Sequence, residues 1–358
     1  MVEEPTLQWE LATGYDFVTS LDVLHHPDRY GLRGSWAAGV RSRLPVEQRE
    51  TLQTFFKSHN FLLLPWLISL NGPKDSLSVL ENLSEIPPAE RLPTFLENSM
   101  WVHTKNVLLN VAHKQSFSEE DIDELRQAHQ AYMKEQGIKK KLATADIEES
   151  LTIWAQSEKF GDGLLNGLKT YYEVFFSEEE KRILPALEDT VEYAKSLSEK
   201  MDLEPLLNAL SQGVRFELPK RDAMKTIVMV PSFWTTPLAL LSHLDANYEN
   251  WVFMFGGRPA NRSLVPGETV PELLHQTLKA LADPTRLRIL RYLAQEPLAP
   301  AELARRLRLR PPTVIHHLDA LRLARLVHVT INHEGRRYEA RREAIDSACS
   351  MLNQFLDG

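Results

Sequence analysis

The sequence predicts a mainly α (α+β) chain in two unequal parts: a large helix-rich N-terminal part with a small β-sheet, then a C-terminal unit of helices closed by a β-ribbon. Three observations point there. Segments of helix length and helix composition fill the middle of the chain, up to about residue 200. Short apolar or alternating runs cluster between 214 and 255. Beyond 271, prolines punctuate helix-spaced leucines before a final alternating strand. At 358 residues the chain exceeds what one core usually serves, so two domains are expected. Residues 1–258 form the α+β part, 259–270 a linker and 271–358 the C-terminal domain.

In the N-terminal part, Leu7, Trp9 and Leu11 alternate as in a half-buried strand. Ser118-Glu-Glu-Asp121 and Ser177-x-x-Glu180 read as helix starts, the second as a capping box. Helices are expected over Glu119–Glu135, Ile147–Phe160 and Glu178–Ser198. Val214–Leu218 alternates, while Thr226–Val230 and Trp251–Phe255 are continuous apolar runs. With the first strand they compose a small mixed sheet. From Gly256 to Gly267 the chain is rich in Gly and Pro and lacks periodicity, which marks the boundary.

In the C-terminal part, Leu273, Leu274, Leu278 and Leu281 set a helix over Pro271–Ala282. Asp283 caps the next one and Pro284 suits its first position; Leu287, Ile289, Leu290 and Leu293 face inward. Arg286 stands in the first turn, where the helix dipole disfavours a cation, so an ion pair is expected. Pro300 opens a short helix with Leu303, Ala304 and Leu307 on one face, and Arg308-Leu309-Arg310 makes the turn. Pro311 and Pro312 are tolerable only at a helix start. From there Val314, Leu318 and Leu321 form an anchoring stripe, and Thr313, His316 and His317 occupy the opposite face. Val327, Val329 and Ile331 alternate, Gly335 turns the ribbon, and Arg336 and Arg337 sit at its tip. Two helices at a turn followed by a charged ribbon suit double-stranded DNA. Thr313, His316 and His317 are placed to reach base edges, Arg310 and Arg322 to hold phosphate, and His333, Arg336 and Arg337 to act from the ribbon.

Charge agrees. The net charge is −8, yet residues 271–358 hold 14 of the 41 Lys and Arg against 10 of the 49 Asp and Glu. Between Arg305 and Arg342 ten arginines face three acids, Asp319, Glu334 and Glu339. A basic element beside an acidic body is the footprint of a DNA reader carried by another domain. A single cysteine, Cys349, rules out an internal disulfide framework and fits a reducing cytoplasm. It reads as a small buried hydrophobe. The acidic start lacks the apolar core of a signal peptide, and the longest apolar run, Phe61–Leu70, is too short for a membrane span. A cytoplasmic protein is expected.

The stretches ALADPTRLRIL, TVIHHLDALRLARLV and NHEGRRY resemble the ArsR-type winged helix-turn-helix transcriptional regulators, over roughly the last quarter of the chain. The resemblance implies a homodimer whose recognition helices enter successive major grooves, with Glu272–Ala282 and Glu343–Phe355 building the dimer interface. Ala344, Ile345, Ala348, Met351, Leu352 and Phe355 supply an apolar face; an intramolecular core explains that face nearly as well. Family members that sense soft metals use a Cys-x-Cys pair before the recognition helix. Here that region reads Leu298-Ala-Pro-Ala-Glu-Leu303, so no metal is expected there. The helical part followed by IVMVPSFW and an aromatic strand is similar to an uncharacterised N-terminal domain on some ArsR-type regulators. That similarity brings no ligand with it.

The N-terminal part holds all seven tryptophans and 13 of 14 phenylalanines. Such a shell either encloses an apolar ligand or is an ordinary core, the commoner case. His25-His26-Pro27-Asp28 fits a loop cap better than a metal site. No catalytic or nucleotide-binding motif stands out, and Gly161-Asp-Gly163 is too short to cradle phosphate. No enzyme activity and no cofactor are expected. The leading reading is a transcriptional repressor controlled by a small-molecule effector of unknown identity. Two alternatives remain: a winged helix serving as a protein-interaction module, and an N-terminal enzyme tethered to a DNA reader.

Overall fold

The helix Thr13–His25 has twelve consecutive buried residues, Thr13 to Leu24, and sits at the centre of the N-terminal part. A helix buried on all sides must pair its polar groups internally. Ser20 Oγ donates to the Phe17 carbonyl at 2.8 Å and lies 2.8 Å from the Tyr171 hydroxyl. Asp22 accepts from the Tyr30 hydroxyl at 2.6 Å. Asp16 accepts from Ser232 Oγ at 2.7 Å and from the Phe233 and Trp234 N–H groups at 3.1 and 2.8 Å. The computed structural model in which these contacts are seen describes residues 4–59, 62–97, 102–135, 143–218, 221–245, 247–267, 270–332 and 335–357.

Helices Val46–His59, Leu63–Ser69, Ser76–Glu85 and Ser177–Ser198 pack around this axis. The expected Glu119–Glu135 helix is present with those bounds, and the Asp121 carboxylate accepts from the Ser118 N–H at 2.8 Å. The segment Ile147–Phe160 is not one helix. It divides at Gln156 into Thr144–Ala155 and Ser157–Tyr171. The latter continues through a π turn, Tyr172–Phe176, into Ser177–Ser198, so Ser177 starts nothing. Glu180 is freed from a capping role and instead accepts from Thr13 Oγ1 at 2.5 Å and Ser76 Oγ at 2.7 Å. Gly161 serves a helix crossing: a Cβ there would lie 2.1 Å from the Pro88 carbonyl oxygen.

Among the described residues seven strands make two sheets: β1 (Thr6–Trp9), β2 (Val214–Phe216), β3 (Thr226–Ser232), β4 (Leu240–His243), β5 (Asn250–Gly256), β6 (Val327–Asn332) and β7 (Gly335–Ala340). The first sheet has the order β1-β3-β5-β4, with β1, β3 and β5 parallel and β4 antiparallel. Its central strands β3 and β5 read as near-continuous apolar runs because both faces are covered. The expected mixed sheet therefore forms, with one correction. Val214–Leu218 does not join it; β2 pairs in parallel with β6, Val214 opposite Val329 and Phe216 opposite Ile331. Alternation marks a half-buried strand without naming its neighbour, and the Gly213 carbonyl, accepting from Val329 N–H at 2.8 Å, ties it to the ribbon.

The C-terminal residues have their own apolar core, including Ile289, Leu293, Leu303, Leu307, Val314, Leu318, Leu321, Val327, Val329 and Tyr338. The segment leading into it is well packed: Leu264 is fully buried, and Arg258 pairs with Glu272, the two side chains being 6% and 8% exposed. Glu272 also accepts from Gln276 Nε2 at 3.0 Å.

Candidate nucleic-acid interface

Asp283 starts the scaffold helix Pro284–Leu293 by accepting from Arg286 N–H at 2.9 Å, and this hydrogen bond holds its carboxyl below the usual range. The Arg286 guanidinium itself stays 3.9 Å from the Asp283 carboxylate. The guanidinium donates instead to the last carbonyls of the preceding helix Glu272–Leu281, Ala280 at 2.9 Å and Lys279 at 2.7 Å. A cation disfavoured at one helix start is thereby favourable at another helix end.

The short helix Pro300–Leu307 ends at Arg308, which adopts the left-handed conformation (φ 56°). Leu309 N–H closes the turn on the Ala304 carbonyl at 3.0 Å. Arg310 is the extended residue before the recognition helix Pro311–Leu323, whose first two positions are prolines. Val314, Leu318 and Leu321 are fully buried and anchor that helix.

This anchoring distributes the candidate residues unevenly. Thr313 and His316 are exposed on the outer face, and Arg310 is exposed at the turn. His317 leans back: its side chain is 15% exposed and Nδ1 lies 4.0 Å from Asp283 Oδ1. Burial lowers its pKa, so it is neutral near pH 7. Arg322 is half-buried on the flank facing the N-terminal part, 3.9 Å from Asp319. Across the ribbon, Arg336 and Arg337 are exposed, and Arg337 reaches back to the Pro297 carbonyl at 3.4 Å. His333 lies outside the described residues. Arg305 and Arg308 are also exposed beside Arg310. Their place in the basic turn was the available signal, although they are absent from the sequence-derived set.

On the far side, the closing helix Arg342–Asp357 leaves Ile345, Phe355 and Leu356 exposed, as are Leu278 and, contrary to the expectation that it faces inward, Leu287 on neighbouring helices. Cys349 is exposed there too, contrary to the expectation of burial, because the inward position goes to its neighbour Ala348. Among the described residues, no group of three or more His, Cys, Asp or Glu side chains is placed to hold a metal ion. His25 Nδ1 meets the Leu21 carbonyl at 2.7 Å and His26 Nδ1 meets Asp22 at 2.8 Å. No described helix is long and apolar enough to cross a membrane.

A helix anchored by one apolar stripe, its outer face open, beside an arginine-tipped ribbon defines a winged-helix DNA-binding domain. Residues 283–329 match the family described as bacterial regulatory protein, arsR family. This segment is thus an ArsR-family regulator domain, and with it the chain carries the DNA-binding unit of a transcription regulator. No curated protein and no solved structure matches the chain.

Proposed function

We propose that the protein is a cytoplasmic transcriptional repressor that binds operator DNA as a homodimer and answers to a small-molecule effector. One observation carries the reading of DNA contact: Thr313 and His316 stand exposed on a helix whose opposite stripe is fully buried. Arg310, Arg336 and Arg337 flank them for phosphate. The uncovered apolar residues Leu278, Ile345 and Phe355 support a second copy as the partner. Residues 1–258 serve as the sensor and brace, and the C-terminal domain begins near 271.

The test is operator binding by the full chain and by the Thr313→Ala/His316→Ala variant. Loss of base readout is expected to cost about 1–3 kcal/mol on the preferred site, and far less on random duplex. Equal losses on both would assign the two residues to non-specific contact.

A further inference from the structure

A cleft of about 770 Å³ separates the turn at Pro27–Leu32 from the helices Glu272–Leu281 and Pro311–Leu323. Its size is that of a small-molecule pocket. Its two walls belong to different parts of the chain: Tyr30, Leu32 and Leu238 on one side, Ala280, Ala320 and Leu323 on the other. They meet at Gly31, which has φ +72°; a Cβ there would come within 2.5 Å of Gln276 Nε2 and 3.4 Å of Leu323 Cδ1. Four cationic side chains, Arg29, Lys279, Arg286 and Arg322, line the cleft against three acids, Asp22, Asp28 and Asp319. Asp22 is already engaged by the Tyr30 hydroxyl and His26, and Arg286 by backbone carbonyls. Among the described residues, the acid paired with Arg322 is Asp319, at 3.9 Å. The cleft therefore joins apolar walls to one unit of excess positive charge.

We propose that this cleft is the effector site and that its ligand is an apolar monocarboxylate, held by Arg29, Lys279 and Arg322. The inference deepens the regulator reading and rests on it. Arg322 and His316 face the cleft and are also candidates for DNA contact. A carboxylate drawing them inward competes with phosphate and bases, so ligand and DNA weaken each other's binding, by the same factor in each direction.

The experiment titrates the full chain with octanoate and phenylacetate by calorimetry, using 1-octanol as the neutral control. At least one carboxylate should bind, with octanol about tenfold weaker or more. Arg29→Ala/Lys279→Ala should weaken the carboxylate about tenfold with its thermal unfolding unchanged, and Arg29→Lys/Lys279→Arg should restore binding. The proposal is overturned if neither carboxylate binds, if octanol binds equally, or if the double variant binds as well as the parent. It is also overturned if that variant loses only DNA affinity, which would make the cleft a phosphate-binding surface. Operator binding without ligand, measured on the same preparation, separates the two readings. Carboxylate binding through Arg29 and Lys279 in a protein that never binds DNA removes the regulator and leaves the site.

Discussion

Glu272→Gln should cost much more stability than Arg258→Met, although each removes the same buried ion pair. The asymmetry comes from the neighbours. Besides Arg258, Glu272 accepts from Gln276 Nε2 at 3.0 Å and from Leu264 N–H at 3.4 Å. It is also an acid whose charge acts on Arg325, a guanidinium that burial pulls down to about 9 and whose Nε has no hydrogen-bond partner among the described residues. Glu272→Gln leaves Arg258 and Arg325 repelling each other with no carboxylate between them, an unpaired buried charge worth about 3–5 kcal/mol. Arg258→Met leaves Glu272 its two N–H donors and the charge of Arg325, so only about 1–2 kcal/mol should be lost with the charged hydrogen bond. The difference of roughly 2 kcal/mol is readable as a shift in urea midpoint at constant m-value. Equal costs, or a larger cost for Arg258→Met, would refute the view that Glu272 neutralises two arginines at the junction.

Three further outcomes follow from named groups. Arg336→Ala/Arg337→Ala should weaken binding to all DNA sequences alike and reduce the salt slope by up to about two, as measured by fluorescence anisotropy; an unchanged slope would remove the wing from the interface. Phe355→Glu places a charge on the exposed end of the closing helix and should shift a dimer toward monomer in sedimentation equilibrium; an unaltered dimer would assign that face another role. Burial pulls His25 and His59 from 6.5 down to about 4, so the unfolded chain takes up these protons first. Stability should therefore fall as pH drops from about 6.5 to 4, by at most about 3 kcal/mol per histidine. Asp16, pushed up to about 6 by burial, works in the opposite direction between 3.8 and 6. His59 Nε2 accepts from the Trp154 indole N–H at 3.2 Å, which only the neutral ring can do. His59→Gln should flatten the acid loss in urea titrations at pH 7, 6 and 5; an unchanged slope would contradict this assignment.

Much of the C-terminal domain was legible because its signals are local. Asp283-Pro284, Pro300 and Pro311-Pro312 mark helix starts through capping and missing N–H groups, and each falls within the first residues of a helix. The stripe Val314, Leu318, Leu321 predicts its own burial, and by elimination the outer face. What failed to show depends on distant partners. The pairing of β2 with β6 joins residues more than a hundred positions apart, and alternation cannot choose between two sheets. Ser177 has the form of a cap, yet the helical chain runs straight through it and Glu180 finds partners in Thr13 and Ser76. Helical spacing put His317 on the outer face with His316; packing against Asp283 and the scaffold helix covers it. Arg29 and Lys279 carry no motif and become neighbours of Arg322 only once both parts of the chain are folded.

The central claim is tested most directly by the salt dependence of binding to the DNA upstream of the protein's own gene, compared with random duplex of equal length. A regulator that reads DNA through Thr313 and His316, steadied by arginines on phosphate, should prefer the upstream DNA. Its log affinity should fall steeply with log salt, and protection should appear over two half-sites about 10 base pairs apart. Weak binding with no preference at any salt concentration, in the absence and in the presence of octanoate or phenylacetate, would contradict it.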